Sequence, residues 1–518
     1  MAATSPDRPA AASGHPPADL TGESDTYDVV VIGGGPPGEI VAQYAIQGSD
    51  RTAAIVEHEL LGGECSYWAC MPSKALLRPV ELLDAARHMP GVQSLVADRT
   101  IDVPAVLDRR DGFTSHHEDR WQVKWANDTG IAVVRGHARL AGEKRVAVTT
   151  ADGRTRTITA RHAVVLATGT TAAVPDLPGL RAARPWISRD VTNVHEIPRR
   201  VAVIGGGVVA CEAATWLRGL GVAELTIVVR GGALLERNEP FAGELVARTF
   251  RDAGVRVLLT TGVDRVERVD PADTGEGRIH GGEVSLHLTT PEGAETITVD
   301  ELVVAAGRTP ATSDIGLDTV GLNVSGDHGF VVTDDRLAVR GVPGDWLYAV
   351  GDVTGRALLT HMGKYQGRIA GAVIAARAQG RELSGDRFTD VADDGRVPQV
   401  TFTDPQVASV GRTEAQARAD GIAVETVEYD LAGVAGVSLL RDGYVGRAKL
   451  VLDASTDTLV GATFVGPEVA ELVHAATVAV VGGVTLDRLW HVVPSYPTMS
   501  EIWLKLLEAR DQQRRTAR

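Results

Sequence analysis

Cys65 and Cys70, two of only three cysteines in the chain, stand five positions apart in Gly62-Gly63-Glu64-Cys65-Ser66-Tyr67-Trp68-Ala69-Cys70-Met71-Pro72-Ser73-Lys74. Five residues of regular helix rise roughly 7.5 Å, and bridged Cα atoms rarely lie more than about 7 Å apart. A disulfide here therefore needs the chain bent, and the expected bend is at Cys65, where Gly62 and Gly63 permit it. Pro72 suits the opening turn of a helix running through Lys74 to Leu83. A thiol at a helix start has its thiolate favoured by the unpaired amides there. Two readings compete with a reactive pair: buried reduced thiols, or half of a zinc site. The zinc reading lacks a second Cys/His pair at ligand spacing, so no metal site is expected. Cys211, among apolar neighbours of a helix, reads as an inert core thiol.

Such a pair needs elements to hold it and a source of electrons. Tyr27 to Ile32 is a nearly continuous apolar run of the kind a buried parallel strand shows. It leads into Gly33-Gly34-Gly35-Pro36-Pro37-Gly38, where Gly33, Gly35 and Gly38 fit the G-x-G-x-x-G spacing that seats a pyrophosphate on a helix N-terminus. Glu39 to Gln47 supplies the helix. Thr52 to Glu57 is a second strand whose terminal carboxylate, Glu57, stands where an acid bonds a ribose hydroxyl. Residues 101 to 128 read as helical around a turn at His116-His117, which are assigned to a solvated surface. Strands follow at Ala132 to Arg135, Arg145 to Thr150 and Ala163 to Leu166, ending at Ala167-Thr168-Gly169.

A second dinucleotide unit begins with the Arg200 to Ile204 strand and turns at Gly205-Gly206-Gly207, with Ala210 in place of the last glycine. The strand Leu225 to Val229 ends without an acid. Arg230 follows it, with Arg237 seven positions on, and arginines there accommodate a 2′-phosphate. NADPH is therefore the expected nucleotide, with NADH the alternative. Leu302 to Arg308 is read as the return to the first unit. Trp346 to Asp352 is a further strand, and Asp352 at its carboxyl end is placed on the sugar-like chain of a flavin. Ala138, Gly169 and Gly307 complete the cofactor-binding candidates. From about Gly395 the pattern changes to strands and helices at Gln399 to Phe402, Tyr444 to Val451 and Thr458 to Val465.

The expected fold class is α/β: two Rossmann-like dinucleotide-binding domains plus a C-terminal α+β domain. The divisions are a disordered tail over 1–26, a first nucleotide domain over 27–173 resuming at 306–390, a second over 174–305, and the last domain over 391–518. Composition narrows the function. A net charge of −15 argues against nucleic-acid binding. No apolar run reaches the roughly 18 residues that suggest a membrane span, and 1–26 lacks the basic start and apolar stretch of a secretory signal. A lone close cysteine pair in so long a chain fits a reducing compartment, so the cytoplasm is the expected location.

The arrangement also resembles the class I pyridine nucleotide-disulfide oxidoreductases, the family of dihydrolipoamide dehydrogenase, glutathione reductase and mercuric reductase. The resemblance runs from about Tyr27 to Glu508 and rests on GGECSYWACMPSK, GGGVVACE, VVAAGRTP, LYAVGDV and Phe402-Thr403-Asp404-Pro405-Gln406-Val407-Ala408-Ser409-Val410-Gly411. It implies FAD on the first unit, NAD(P)H on the second, and a homodimer joined through the last domain. Cys70 would be the thiol nearer the flavin and Cys65 the interchange thiol that attacks substrate. Lys74 matches the lysine beside the flavin, for which Glu212 is the carboxylate partner.

Three departures qualify the resemblance. Where disulfide reductases of the family carry His-Pro-Thr-x-x-Glu, with His as acid/base, this chain has Tyr496-Pro497-Thr498-Met499-Ser500-Glu501. Tyrosine titrates near 10 and histidine near 6.5, so Tyr496 is a poor base, and Glu501 loses its usual partner. His491 could substitute, yet it lies five residues early, and the competing reading is a surface or core residue. The Asp511 to Arg518 segment lacks the terminal cysteine pair usual in mercuric reductases. Tyr67 and Trp68 place bulky aromatics between the cysteines and are expected to reshape the adjoining pocket. The leading expectation is an FAD-dependent NAD(P)H oxidoreductase that reduces a Cys65–Cys70 disulfide and passes electrons to a small-molecule or small disulfide acceptor. The alternatives are a mercuric-reductase-like metal reductase, a quinone or dye reductase using flavin alone, and a non-enzymatic redox sensor.

Overall fold

Valine-rich strands without polar alternation need cover on both faces, and a parallel sheet near the N-terminus has it. In this computed structural model, which describes residues 24–516, the parallel strands lie in the order Ile131–Arg135, Ala53–Glu57, Thr26–Ile32, the second half of Thr155–Leu166, and Leu347–Ala349. Val29 and Val31 pack under the Pro36–Ile46 and Thr360–Ala378 helices, while Val30 and Ile32 point to the other face with Val146, Val148 and Leu317. The expected tail over 1–26 lies outside the described residues up to residue 23, and Thr26 already opens a strand. Ile32 pairs with Val56 and Leu166, and Ala349 pairs with Leu166, so these carboxyl ends finish side by side. That register gathers the Gly33 loop, Glu57, Gly169 and Asp352 around one crevice.

A second parallel sheet follows, ordered Arg256–Leu258, Glu224–Val228, Arg200–Ile204, Glu301–Val304. The strand at Glu301–Val304, read from sequence as the return to the first unit, belongs to this second sheet. Its apolar run suits either sheet, and pairing with Val201 to Ile204 decides between them. The return comes one step later, where Arg308–Pro310 pairs antiparallel with Thr170–Ala172. An antiparallel sheet of Gly262–Arg268, Val284–Thr290 and Gly293–Val299 covers the second sheet, with Val266, Leu286 and Leu288 packed on Ala202 and Val304.

The last segment forms a five-stranded antiparallel sheet, ordered Pro398–Thr401, Gln406–Gly411, Thr458–Gly466, Arg447–Asp453, Val424–Asp430. The Leu472–Val481 and Ile502–Thr516 helices bury Val473, Ala476, Ile502 and Leu506 against it. Among the described residues no helix is long and apolar enough to cross a membrane.

Candidate active site

The cysteine turn is made by two helices and a break. Cys65 lies in the short Gly63–Tyr67 helix, entered through Gly62 in the left-handed region, and Cys70 opens the Cys70–Arg87 helix. The bend expected at Cys65 instead falls at Trp68 and Ala69, where φ/ψ of −130°/1° and −135°/−94° interrupt the helical path. Cys65 stays helical because the glycines act earlier, setting the direction from which its helix starts. Both thiols are half-buried and unbridged, and each is the largest influence on the other's titration.

The surroundings divide the pair. The neighbouring Cys65 thiol holds the Cys70 thiol below its usual range; burial opposes this, and the Thr360 hydroxyl and the Lys74 charge add to it. Cys65 moves the other way, raised by the Cys70 thiol and by burial, with the Thr360 hydroxyl and the Lys364 charge partly offsetting the rise. The surroundings thus favour the proton on Cys65 and the charge on Cys70. Thr360 Oγ1 lies 3.3 Å from Cys70 Sγ, at the start of the Thr360–Ala378 helix. Lys74 Nζ donates to Glu212 Oε2 at 2.7 Å, and Glu212 Oε1 accepts the Phe402 N–H at 2.9 Å. Glu212 is buried, so the lysine and that amide supply the compensation its charge requires.

Both glycine turns are built alike. Gly33 has φ of 102° and Gly205 of 128°, and a Cβ on either would meet the carbonyl of Ala167 or Ala305 at 2.4 or 2.3 Å. Only glycine fits such an approach of turn to strand. The following Pro36–Ile46 and Val208–Gly219 helices have no side-chain cap at Gly35 or Gly207, so their first amides remain available to an anion. Glu57 Oε2 accepts the Gly34 N–H at 2.7 Å. Burial pushes its carboxyl up, but hydrogen bonds from His58, Glu59 and Gly34 outweigh that and hold it low. Ala138 is buried next to His137, whose ring meets His58 edge-on at 6.2 Å, so it borders the Glu57 end of the crevice. Asp352 accepts from Thr170 at 2.9 Å and lies 3.7 Å from Arg308; burial raises its carboxyl against both. At Gly169 and Gly307 the space where a side chain would stand is open. Arg230 and Arg237 are exposed beyond Glu224–Val228, with no ion pair among the described residues.

Other candidates lie elsewhere. Tyr496 is 74% exposed, and among the described residues neither it nor Glu501 hydrogen-bonds a cysteine, and the buried Glu501 Oε2 has no partner. His491 is exposed. His117, expected on a solvated surface, instead packs its ring against Trp68 and Tyr67 at 5.6 and 6.1 Å, and burial lowers its imidazole. Tyr67 and Trp68 are at most 4% exposed and turn inward. Tyr67 Oη donates to the Leu61 carbonyl at 3.0 Å, and Trp68 Nε1 to Glu276 Oε2 at 3.2 Å. Cys211 is fully buried, and burial raises its thiol, as an inert core residue requires.

Thr360 and Lys364 escaped sequence reasoning because they reach the thiols from 290 positions away along the chain. Their helical offset of four, which puts both on one face, is visible in the sequence only once that helix is known to abut the turn. Glu39 was read only as the start of a helix. Burial raises its carboxyl to about 7, and Lys364 opposes the shift.

A family model described as pyridine nucleotide-disulphide oxidoreductase matches residues 27–380, and that family's dimerisation domain matches 397–507. The chain is 30% identical over 482 residues to a dihydrolipoyl dehydrogenase of Chlamydia muridarum, covering 93% of this chain and 96% of that protein. It is 32% identical over 478 residues to a mercuric reductase of Streptomyces lividans, covering 92% and 94%. Among solved structures, LpdA from Mycobacterium tuberculosis has a TM-score of 0.77 at 24% identity, covering 93% and 98% of the two chains. A Cu(II) complex of the HOCl-induced flavoprotein disulfide reductase RclA from Escherichia coli gives 0.75 at 24% identity, covering 94% and 99%. At these identities the two structures speak for the fold alone.

Proposed function

The chain belongs to the pyridine nucleotide-disulphide oxidoreductase family, and from that membership we propose an FAD-dependent, NADPH-oxidising homodimer that delivers electrons through Cys65 and Cys70 to a small disulfide acceptor. The observation that carries the reading is the break at Trp68 and Ala69 between the two cysteine helices, with Thr360 Oγ1 3.3 Å from Cys70 Sγ and the Lys74–Glu212 pair one turn on in the Cys70 helix. A surface or core pair has no need of that arrangement.

The first crevice suits FAD: uncapped helix amides face a pyrophosphate, Glu57 lies in reach of a ribose, and Asp352 in reach of a sugar-like chain. Bound flavin supplies the two-electron link between a nicotinamide hydride and a disulfide. The chain's own residues do the rest. Lys74, held by Glu212, favours negative charge on Cys70. Cys65 gives up its proton as its sulfur attacks one sulfur of the acceptor to form a mixed disulfide, and the acceptor's other sulfur leaves with that proton as a thiol. Cys70 then attacks Cys65 Sγ, restoring the Cys65–Cys70 bond and releasing the second half. Tyr496 and Glu501 would enter this step from the partner chain, Tyr496 as a hydrogen-bond donor to the leaving sulfur. Arg230 and Arg237 favour NADPH over NADH.

Anaerobic titration of the purified flavoprotein with NADPH, and separately with NADH, tests the reading. The expected result is a long-wavelength thiolate-to-flavin band after two electrons, absent in Cys70→Ser, at lower NADPH than NADH. Full quinone turnover by a Cys65/Cys70 double serine variant, with no such band in the wild type, would sink the disulfide reading in favour of flavin alone.

A further inference from the structure

The segment between the cysteines is strapped to the second nucleotide layer. Arg189, in the Ser188–Thr192 helix, donates from Nε to Glu64 Oε1 at 2.6 Å, and from Nη1 and Nη2 to Glu59 at 2.9 and 3.0 Å. Its guanidinium also lies 4.0 Å from the centre of the Trp68 ring. Glu64 immediately precedes Cys65, and Trp68 comes two residues before Cys70, so one side chain grips the turn at both ends. The same helix adds Thr192 Oγ1, which donates to the Trp68 carbonyl at 2.9 Å. Asn193 donates to Glu276 at 3.0 Å, and the same Glu276 oxygen receives the Trp68 indole N–H.

The strap has a firm anchor. Asp190 accepts the Ile187 N–H at 2.9 Å and the Gly277 N–H at 3.3 Å, and Arg110 donates to the Thr192 carbonyl at 2.6 Å. The Ser188–Thr192 helix is thereby fixed on its far side, and the turn it holds cannot drift without breaking a half-buried, charge-assisted fork.

We propose that Arg189, with Trp68 and Glu276, is a positioning residue that keeps the Cys65 and Cys70 sulfurs in bonding range after the disulfide opens, and so sets its reduction potential. The inference rests on the disulfide reading above. Opening takes two electrons and one proton: the S–S bond breaks, Cys65 takes the proton, and Cys70 keeps the charge. In the cell NAD(P)H supplies the electrons through bound flavin. Closing the bond again is an intramolecular step whose favourability follows the effective concentration of one sulfur at the other. A turn clamped at both ends keeps that concentration high; a loosened turn lets the sulfurs part and makes the dithiol relatively more stable.

The test equilibrates the full-length flavoprotein in dithiothreitol redox buffers, quenches by alkylation, and reads the Cys65/Cys70 state by mass spectrometry, independently of turnover. Arg189→Lys keeps the charge but loses the fork and the flat face for stacking. It is expected to lower ring closure about tenfold, moving the two-electron potential up by about 30 mV. Trp68→Phe and Glu276→Gln are expected to move it in the same direction by less, and they stand in if Arg189→Lys does not fold. Potentials within a few millivolts of wild type, or a downward shift showing that the strap strains the bond, would overturn the proposal. A wild type with no reversible Cys65/Cys70 couple would instead remove the disulfide reading itself.

Discussion

The Lys364 charge reaches both Cys65 and Glu39: it favours the Cys65 thiolate and the Glu39 carboxylate alike. It makes no ion pair or hydrogen bond among the described residues, and it is half-buried. Where Tyr496 replaces an imidazole, Lys364 is the cation within this chain that lowers the cost of negative charge at Cys65. Lys364→Met should therefore raise Cys65 further. A half-unit rise reduces its thiolate about threefold, readable as slower alkylation of Cys65 in the dithiothreitol-reduced protein. The sign of the pH dependence follows from Glu39. In the wild type its carboxyl ionises above about pH 7; without Lys364 its titration moves to higher pH, so at pH 8 the variant keeps Glu39 neutral where the wild type has the partly cancelling Lys364–Glu39 pair. The wild-type to Lys364→Met ratio should thus be larger at pH 6 than at pH 8. A ratio of one across that range would show that Lys364 does not act on Cys65. Cys65, Cys70, Lys74 and Glu212 were legible in the sequence because each belongs to a local motif. Lys364 and Arg189 were not, since nothing in their own neighbourhoods marks them, and only the folded chain brings them to the turn.

At the scale of elements, Thr360 can meet Cys70 only because the Thr360–Ala378 helix lies hard against the Pro36–Ile46 helix. Gly363, Gly367 and Gly371, four residues apart, form the contact stripe. A Cβ would come within 2.5 Å of Pro37 Cγ at Gly363 and within 2.9 Å of the Pro37 carbonyl at Gly367. At Gly371 it would come within 2.5 Å of Tyr44 Cβ and 3.0 Å of the Ala45 N and Val41 O. Backbone cannot yield as a side-chain tip can. Gly371→Val should therefore wedge the helices apart at a cost of about 1–3 kcal/mol, lowering the melting temperature and the flavin retained on gel filtration. Gly112→Ala, at an exposed position of the Val103–Phe113 helix with nothing within 4 Å, is the contrast. It should be neutral or stabilising by up to about 1 kcal/mol. Equal effects of the two substitutions would show that the stripe is not a close contact. The strand–turn–helix units were readable because their apolar runs and glycine spacings are local. The membership of Glu301–Val304 was not, because a run of buried residues does not name the strand it pairs with.

At the scale of the molecule, the described chain keeps both nucleotide turns and both thiols within itself but leaves its last domain unfinished. Trp490, Val492, Val493 and Tyr496 expose 45%, 62%, 85% and 74% of their surface, close in sequence to Glu501, whose buried Oε2 has no partner among the described residues. This segment falls inside the family's dimerisation domain. An apolar exposed run ending in a buried, unpaired carboxylate fits a face completed by a second copy, which would carry Tyr496 towards the other chain's Cys65. Val493→Asp sets a charge where that face must lose water. Sedimentation velocity should show the dimer shifting to monomer at concentrations where the wild type stays paired. The two halves of the reaction should then separate. NADPH should still reduce the bound flavin and produce the thiolate band, since Cys65, Cys70, Lys74 and Glu212 all come from one chain. Turnover with a small aromatic disulfide should fall at least tenfold, because the leaving sulfur loses its donor. Equal loss of both would mean that Val493 supports folding of the whole chain, and an unchanged dimer would place the interface elsewhere.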